Sequence, residues 1–480
     1  MPAVKNGRSI DMTQGPLFRK MLLFILPLMA THLLQVFYNA ADVMIVELSP
    51  VADAVGAVGS CGAYLNLIIN IFIGFSIGAD VVVARNIGAK NSEGTKNAVH
   101  TAVCMSLIFG ISGAVIGIVA AKPIYILMGY SGGLLDLCLK YSYIYLLGLP
   151  FASLTNFLSA IMRAKGDTRM PLYVLSASGF FNVLLNLFFV LVMHLSVEGV
   201  ALATAIANVA SSIVLFIVLS KENGDCRIIF KKLKICKSSF IDICHIGFPS
   251  GIQNAFFSVS NMLIQSSVLT VNDMQAPPET SAYAPVIKGN AAVTSLENFG
   301  FAALNSVSQA ASTFTGQNVG VKDYRRVRRV LGNACLLAAI ISVIVTALLI
   351  IFRQPLLSLY GVEIIEGDPL SLIAVETAEI RIWSKWPPFI LIALMNTAAG
   401  VLRGLGKSFT SAAFSLVGTC VFRVVWIFTV FEYFKTLESI YISYGISWFL
   451  TGLAFFIAVG VILHKRIKEQ DKSKLSEIAT

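Results

Sequence analysis

The chain has 480 residues, of which 56% are hydrophobic and only 13% charged, with a mean hydropathy of +0.78. Soluble domains carry about 25% charged residues, so this composition excludes a water-soluble globular protein. The formal net charge of +10 would suit nucleic-acid binding, but its distribution along the chain argues otherwise.

A transmembrane helix needs about 20 apolar residues. Six such stretches run over 17–46, 54–84, 97–121, 133–160, 171–193 and 198–219. A basic, polar stretch, 220–238, follows. Six more spans read 239–271, 289–315, 328–352, 377–402, 409–431 and 440–463, and a basic tail closes the chain at 464–480. The pattern predicts an all-α integral membrane protein with 12 transmembrane helices: a first lobe over 1–219, a cytoplasmic linker over 220–238 and a second lobe over 239–463. No short basic-apolar-small leader precedes the first span, so no cleavage is expected.

Lys and Arg set the orientation. With the N-terminus inside, cytoplasmic segments hold 28 of the 36 basic residues and the opposite side holds 7, among them Arg381 and Lys385. Arg423 falls inside a span. Such asymmetry is the positive-inside signal. It assigns the net charge to topology and anionic lipid rather than to nucleic acid, and both termini to the cytoplasm.

The chain also repeats itself. Asn86-Ile87-Gly88-Ala89-Lys90 after the second span matches Asn318-Val319-Gly320-Val321-Lys322 after the eighth. Arg163-Ala164-Lys165-Gly166-Asp167 after the fourth matches Arg403-Gly404-Leu405-Gly406-Lys407 after the tenth, and Pro27 in the first span matches Pro249 in the seventh. Six spans per half put both halves in the same orientation, a parallel repeat. Two six-helix lobes around a central cleft is the geometry of an alternating-access transporter. The pairs Gly74/Gly78 and Gly113/Gly117 are GxxxG motifs, which predict close helix packing within a lobe.

Polar groups inside the spans carry the functional reading. Asp42 stands near the end of the first span, and Asn39, Tyr38 and Gln35 precede it by three, four and seven residues, on one helix face. Such a face lines a path more readily than it meets lipid. Measured from Lys20, Asp42 lies about 33 Å along a straight helix, near the outer edge of the hydrocarbon layer. Asn182 and Asn186 share a face of the fifth span and could donate to its carboxylate, or serve as interhelical glue. Glu297 lies about 13 Å deep on a face with Asn290 and Thr294. It could bind a cationic compound or a proton, or pair with a polar neighbour. Arg423 could contact substrate, meet a carboxylate, or reach an interface by snorkelling. The eight cysteines lack CxxC spacing and read as reduced and structural, and the five histidines lack metal-ligand spacing. No Walker motif, HExxH or intramembrane Ser/His constellation supports ATP-driven transport or an enzyme.

These features together resemble the MATE family, the multidrug and toxic compound extrusion transporters. The resemblance is carried by Gly15-Pro16-Leu17 and by Gln35-Val36-Phe37-Tyr38-Asn39-Ala40-Ala41-Asp42. Further matches are Gly78-Ala79-Asp80 through Arg85, Gly166-Asp167-Thr168-Arg169, Gly199 through Thr204, Gly316-Gln317-Asn318-Val319-Gly320 and Leu402-Arg403-Gly404-Leu405-Gly406. The flavour is that of the bacterial DinF-like and Firmicute multidrug members. The resemblance implies two pseudo-symmetric six-helix lobes forming a V-shaped cleft. It also implies export of organic, often cationic, amphipathic compounds in exchange for protons or sodium ions. Asp42 matches the acid of proton-coupled members, with Asn156, Asn182, Asn186 and Thr204 as its polar neighbours; many members carry Asp where this chain has Asn186. Gln35, Tyr38, Asn39, Gln253, Asn254, Asn261, Glu297 and Arg423 are the candidate substrate-binding residues. The seventh and tenth spans lack the acids of the sodium site, which favours protons over sodium. No cofactor or metal is expected. The expected partners are a small drug-like molecule and membrane lipid, with the chain acting as a monomer in a bacterial inner membrane. Sodium-coupled antiport and a lipid-linked oligosaccharide flippase are the alternatives.

Overall fold

The computed structural model describes residues 9–49, 51, 54–275 and 284–478. The helices are α1 Leu17–Glu47, α2 Ala54–Gly88, α3 Ser92–Leu127, α4 Gly132–Leu147, α5 Leu149–Lys165, α6 Arg169–Leu187, α7 Val197–Ser220, α8 Lys237–Gln275, α9 Pro285–Gly320, α10 Tyr324–Ile351, α11 Arg353–Ser358, α12 Pro369–Lys385, α13 Phe389–Gly404, α14 Ser408–Ser415, α15 Phe422–Trp426, α16 Glu432–Phe434 and α17 Leu437–Ile478. Among the described residues there is no strand. Backbone polar groups in hydrocarbon must be satisfied within the segment, which selects helix.

By length and composition, eight of these helical stretches can cross a membrane, and ten if each of two bent pairs is one span. The bent pairs are α4–α5 and α12–α13, with angles of 47° and 52°. They are the fourth and tenth expected spans, at equivalent places in the repeat. Two further long helices, α8 and α9, occupy the places of the seventh and eighth. Their polar stripes, such as Gln253 to Gln265 and Asn290 to Glu297, hold down their apolar content.

The repeat is written in the backbone as well. Lys90 and Lys322 both adopt positive φ, 54° and 58°. Each ends its helix in a Schellman motif: Lys90 N and Asn91 N donate to Ile87 O and Asn86 O, and Lys322 N and Asp323 N to Val319 O and Asn318 O. The two loops thus share residue pattern, dihedral angle and hydrogen bonds. The fifth and eleventh spans match in another way, since both contain π-helical turns, at Phe188–Val192 and at Leu416–Val421 and Ile427–Phe431.

By contact, the described residues form two compact units. One holds the chain up to Ala255 with Ser312–Asp323 and Gly404–Phe409; the other holds Phe256–Ala311, Tyr324–Arg403 and the chain from Thr410 onward. Within the first unit, glycines set the close helix contacts. A Cβ at Gly74 would stand 2.2 Å from Gly251 N, and one at Gly78 2.4 Å from Ile243 O. Gly74/Gly78 of α2 therefore meet Gly247/Gly251 of α8, a GxxxG face on each helix. The motif joins a helix of each half of the chain, rather than two helices of one half as the spacing suggested. Gly88 and Gly320 repeat the device where α2 and α9 end: a Cβ at Gly88 would stand 2.0 Å from Gln317 O, and one at Gly320 2.2 Å from Arg85 O. Gly113 and Gly117 of α3 instead take Phe72 and Ile68 of α2.

The linker docks on the first unit. His100 Nε2 accepts from Ile229 N, Thr101 Oγ1 accepts from Cys236 N, and Lys165 Nζ donates to Glu222 at 2.5 Å. All eight cysteines are free thiols.

Candidate functional site

The polar face of α1 meets α6 and α7 in the first unit. Gln35, Tyr38, Asn39 and Asp42 line a cavity of about 120 Å³ with Ser178 and Asn182 of α6 and Thr204, Asn208 and Ser211 of α7. Asp42 is the one acid among these lining residues. Gly179 makes room for the ring of Tyr38: a Cβ there would lie 1.9 Å from its Cε2. The Tyr38 hydroxyl donates to Ser176 O at 3.1 Å, pinning α1 to α6.

Asn186, fully buried, donates from Nδ2 to Asp42 Oδ1 at 2.5 Å. Asn182 lies one turn earlier on the same face of α6. With its amide nitrogen toward Asp42, it donates to the same Oδ1 at 3.0 Å and its oxygen accepts from Thr204 Oγ1 at 3.3 Å. This arrangement suits an ionised carboxylate, which only accepts. Drug-sized pockets begin at about 300 Å³, so this cavity is smaller than one that holds a whole drug.

Three lining residues, Ser178, Asn208 and Ser211, were not singled out in the sequence. The signal was available for two of them, since Thr204, Asn208 and Ser211 are spaced four and three apart, one face of α7. Asn156 is not brought into the cavity lining; its Nδ2 donates to Ala152 O of its own helix at 3.1 Å. Gln253 is buried and Asn254 half-buried on α8 in the first unit, whereas Asn261 is exposed in the second.

The second unit holds a separate charged cluster. Glu297 of α9 is 1% exposed, and its carboxylate is taken by Arg381, through Nε at 3.1 Å and Nη2 at 2.7 Å, and by Lys385 Nζ at 2.6 Å. Arg381 Nη1 also donates to Asn290 Oδ1, which accepts from the Tyr441 hydroxyl at 2.8 Å, while Asn290 Nδ2 donates to Gln265. Arg381 and Lys385 sit inside α12, 5% and 3% exposed; the basic-residue count assigns them to the external side of the expected span 377–402. Four residues apart, they present both cations from one helix face. The correction changes the reading of Glu297. A carboxylate held by two cations at these distances has no spare charge for a cationic drug. Arg423 does not snorkel: it is 3% exposed, its Nε donates to Ser447 Oγ at 3.0 Å, and its guanidinium lies 4.1 Å from the Tyr444 ring centroid. Lys385 Nζ lies 4.0 Å from the same centroid.

Charge does not balance in this cluster. Arg381 and Lys385 share one Glu297, and Arg423 shares only the Tyr444 ring with Lys385. Cation–π contacts contribute about 0.5–2 kcal/mol each, less than the several kcal/mol that burying each ion costs. The other acids of α12 do not help, since Glu376 is exposed and Glu379 pairs with Arg353 at 3.0 Å. Among the described residues, no group of His, Cys, Asp and Glu is arranged to hold a metal ion.

Comparison with known proteins gives a family match and a fold match. The MatE family model covers residues 27–188 and 249–429. The probable multidrug resistance protein YoeA of Bacillus subtilis (strain 168) is 25% identical over 447 residues, 92% of each chain. The probable multidrug resistance protein NorM of Thermotoga maritima is 24% identical over 427 residues, 88% of this chain and 87% of that one. A solved structure described as the outward-facing conformation of a multidrug resistance MATE family transporter of the MOP superfamily superposes with a TM-score of 0.86 at 19% identity. It covers 97% of this chain and 100% of its own, which shows that the two share a fold.

Proposed function

Since the chain belongs to the MatE family, we propose that it is a secondary active efflux antiporter, exporting amphipathic organic compounds, organic cations among them, in exchange for protons. The observation that carries the reading is Asp42 with Asn182 and Asn186 at the small polar cavity. Ionised, Asp42 takes two amide N–H groups. On taking a proton the carboxyl becomes a donor, and its bonds from the Asn182 and Asn186 amides weaken. Protonation of one group thus loosens a contact between α1 and α6, the kind of two-state element that coupled transport needs.

Asn186 favours a single titrating group here, because no second carboxylate lines the cavity. Protons are preferred to sodium, since the polar face of α8 from Gln253 to Gln265 carries no acid. The basic-residue asymmetry supports cytoplasmic termini and residence in a bacterial plasma membrane, with lipid and a small drug-like molecule as partners and a monomer as the working unit.

The test is transport in proteoliposomes under an imposed pH or sodium gradient. Wild-type protein is expected to export a fluorescent organic cation when the pH gradient is imposed. Asp42→Asn should lower that flux at least about tenfold, within the 10²–10⁴ range that a positioned proton acceptor supplies, with unchanged gel-filtration behaviour. Full activity of Asp42→Asn would remove Asp42 from the mechanism; flux driven by sodium alone would overturn proton coupling. Scrambling of a lipid-linked sugar with no drug flux would replace efflux with flipping.

A further inference from the structure

We propose that the second unit contains an anion-binding site at Lys385 and Arg423, and that its ligand is a carboxylate or similar oxyanion. The site stands on geometry. Both cations lie within 4.1 Å of the centroid of the Tyr444 ring, which ties their positions together. Both are about 3% exposed. Glu297, the acid of the cluster, is already shared by Arg381 in a two-point contact and by Lys385 in a one-point contact. Arg423 receives none of it. Its Nε donates to Ser447, but its Nη2 is buried with no hydrogen-bond partner among the described residues. Lys385 uses Nζ on Glu297 alone in the described network, and an ammonium has three N–H bonds to give.

A planar guanidinium with a free edge is a match for a carboxylate or phosphate group, and the Lys385 ammonium shares the Tyr444 ring with it. A cationic group placed here would meet like charges, so this site takes the anionic group of its ligand and leaves any cationic group elsewhere. Phe301 and Tyr444 border Lys385, and Tyr444 borders Arg423, which suits an amphipathic molecule with an anionic group. Glu297 is then a positioning residue: it holds Arg381 and Lys385 in place and halves their excess charge without cancelling that of Arg423.

The inference deepens the efflux reading by naming a chemical group that the exported molecule carries, and it rests on that reading only for the source of the anion. It is tested by binding to the purified full chain in lipid nanodiscs at fixed pH with no gradient, so a failure of proton coupling leaves it untouched. The probes are rhodamine B, which has a free carboxylate, and its ethyl ester, which does not. In sodium gluconate, the carboxylate form is expected to bind wild-type protein about tenfold more tightly than the ester, the scale of one charge-assisted contact. Arg423→Gln should bring the two affinities together, and Arg423→Lys, which keeps the charge, should retain part of the difference. If the occupant is instead a free inorganic anion, the dyes bind alike. Chloride or phosphate in place of gluconate then raises the melting temperature of wild type and not of Arg423→Gln, which keeps the anion site and reassigns its source. Equal binding of the two dyes by wild type, together with no response to chloride or phosphate, overturns the proposal. That comparison needs no variant to fold.

Discussion

Two carboxylates, Asp42 and Glu297, face opposite electrostatic settings. Asp42 is surrounded by neutral amides and a cavity, so its charge changes at the cost of rearranging hydrogen bonds. Glu297 is locked by Arg381 and Lys385 in the interior of its unit. Removing one partner of a buried ion pair leaves an uncompensated charge and typically costs about 3–5 kcal/mol. Glu297→Gln is therefore expected to lower thermal stability strongly and to reduce export of neutral and cationic compounds alike. Unchanged melting with selective loss of cation export would return Glu297 to substrate recognition. Asp42→Asn, by contrast, keeps an isostere in the cavity and should leave the melting temperature near that of wild type.

Among the elements, close contact is set by glycine. The faces of α2 and α8 touch at Gly74, Gly78, Gly247 and Gly251, where backbone meets backbone. Gly78→Ala would drive a methyl group toward Ile243 O, and overpacking of this kind costs about 1–3 kcal/mol. Gly460 of α17 has open space around it. Gly460→Ala should therefore be neutral or raise stability by up to about 1 kcal/mol, because alanine suits a helix interior better. Thermal unfolding of both variants in one detergent checks the pair, and equal effects would dissolve the argument from packing. The two bent spans, α4–α5 and α12–α13, and the π-helical turns mark where a straight helix is interrupted, at matching places in the two halves of the chain.

For the whole molecule, orientation is the first question, and the linker provides a handle. The backbone N–H of Ser239, at the start of α8, holds the Cys236 thiol below its ordinary range, whereas burial pushes the Cys226 thiol up to about 12. Thiolate is the reactive form. Near neutral pH, maleimide should then modify Cys236 well before Cys226, and the gap should narrow as pH rises toward the Cys226 value. A variant retaining only Cys236 is expected to react with a membrane-impermeant maleimide in inside-out vesicles and not in intact cells. Labelling of intact cells would reverse the assigned topology.

Hydropathy, basic-residue asymmetry and a loose internal repeat were enough to place the helical spans, because lipid imposes length and composition on any helix that crosses it. The same patterns located Gln35, Tyr38, Asn39 and Asp42 on one face, since helical spacing alone brings them together. What lies opposite that face depends on which helices pack, and periodicity carries no such information. Asn208 and Ser211 share the face of Thr204 by spacing, but packing of α7 brings that face to Asp42; Ser178 entered the site only through packing of α6, and Asn156 left it the same way. Arg381 and Lys385 fell within the expected span 377–402 but were counted as external, because a charge near the end of a span reads as solvent-facing. Only the tertiary structure showed them buried on Glu297, since a counter-ion distant in sequence is what makes a charge tolerable inside a membrane protein.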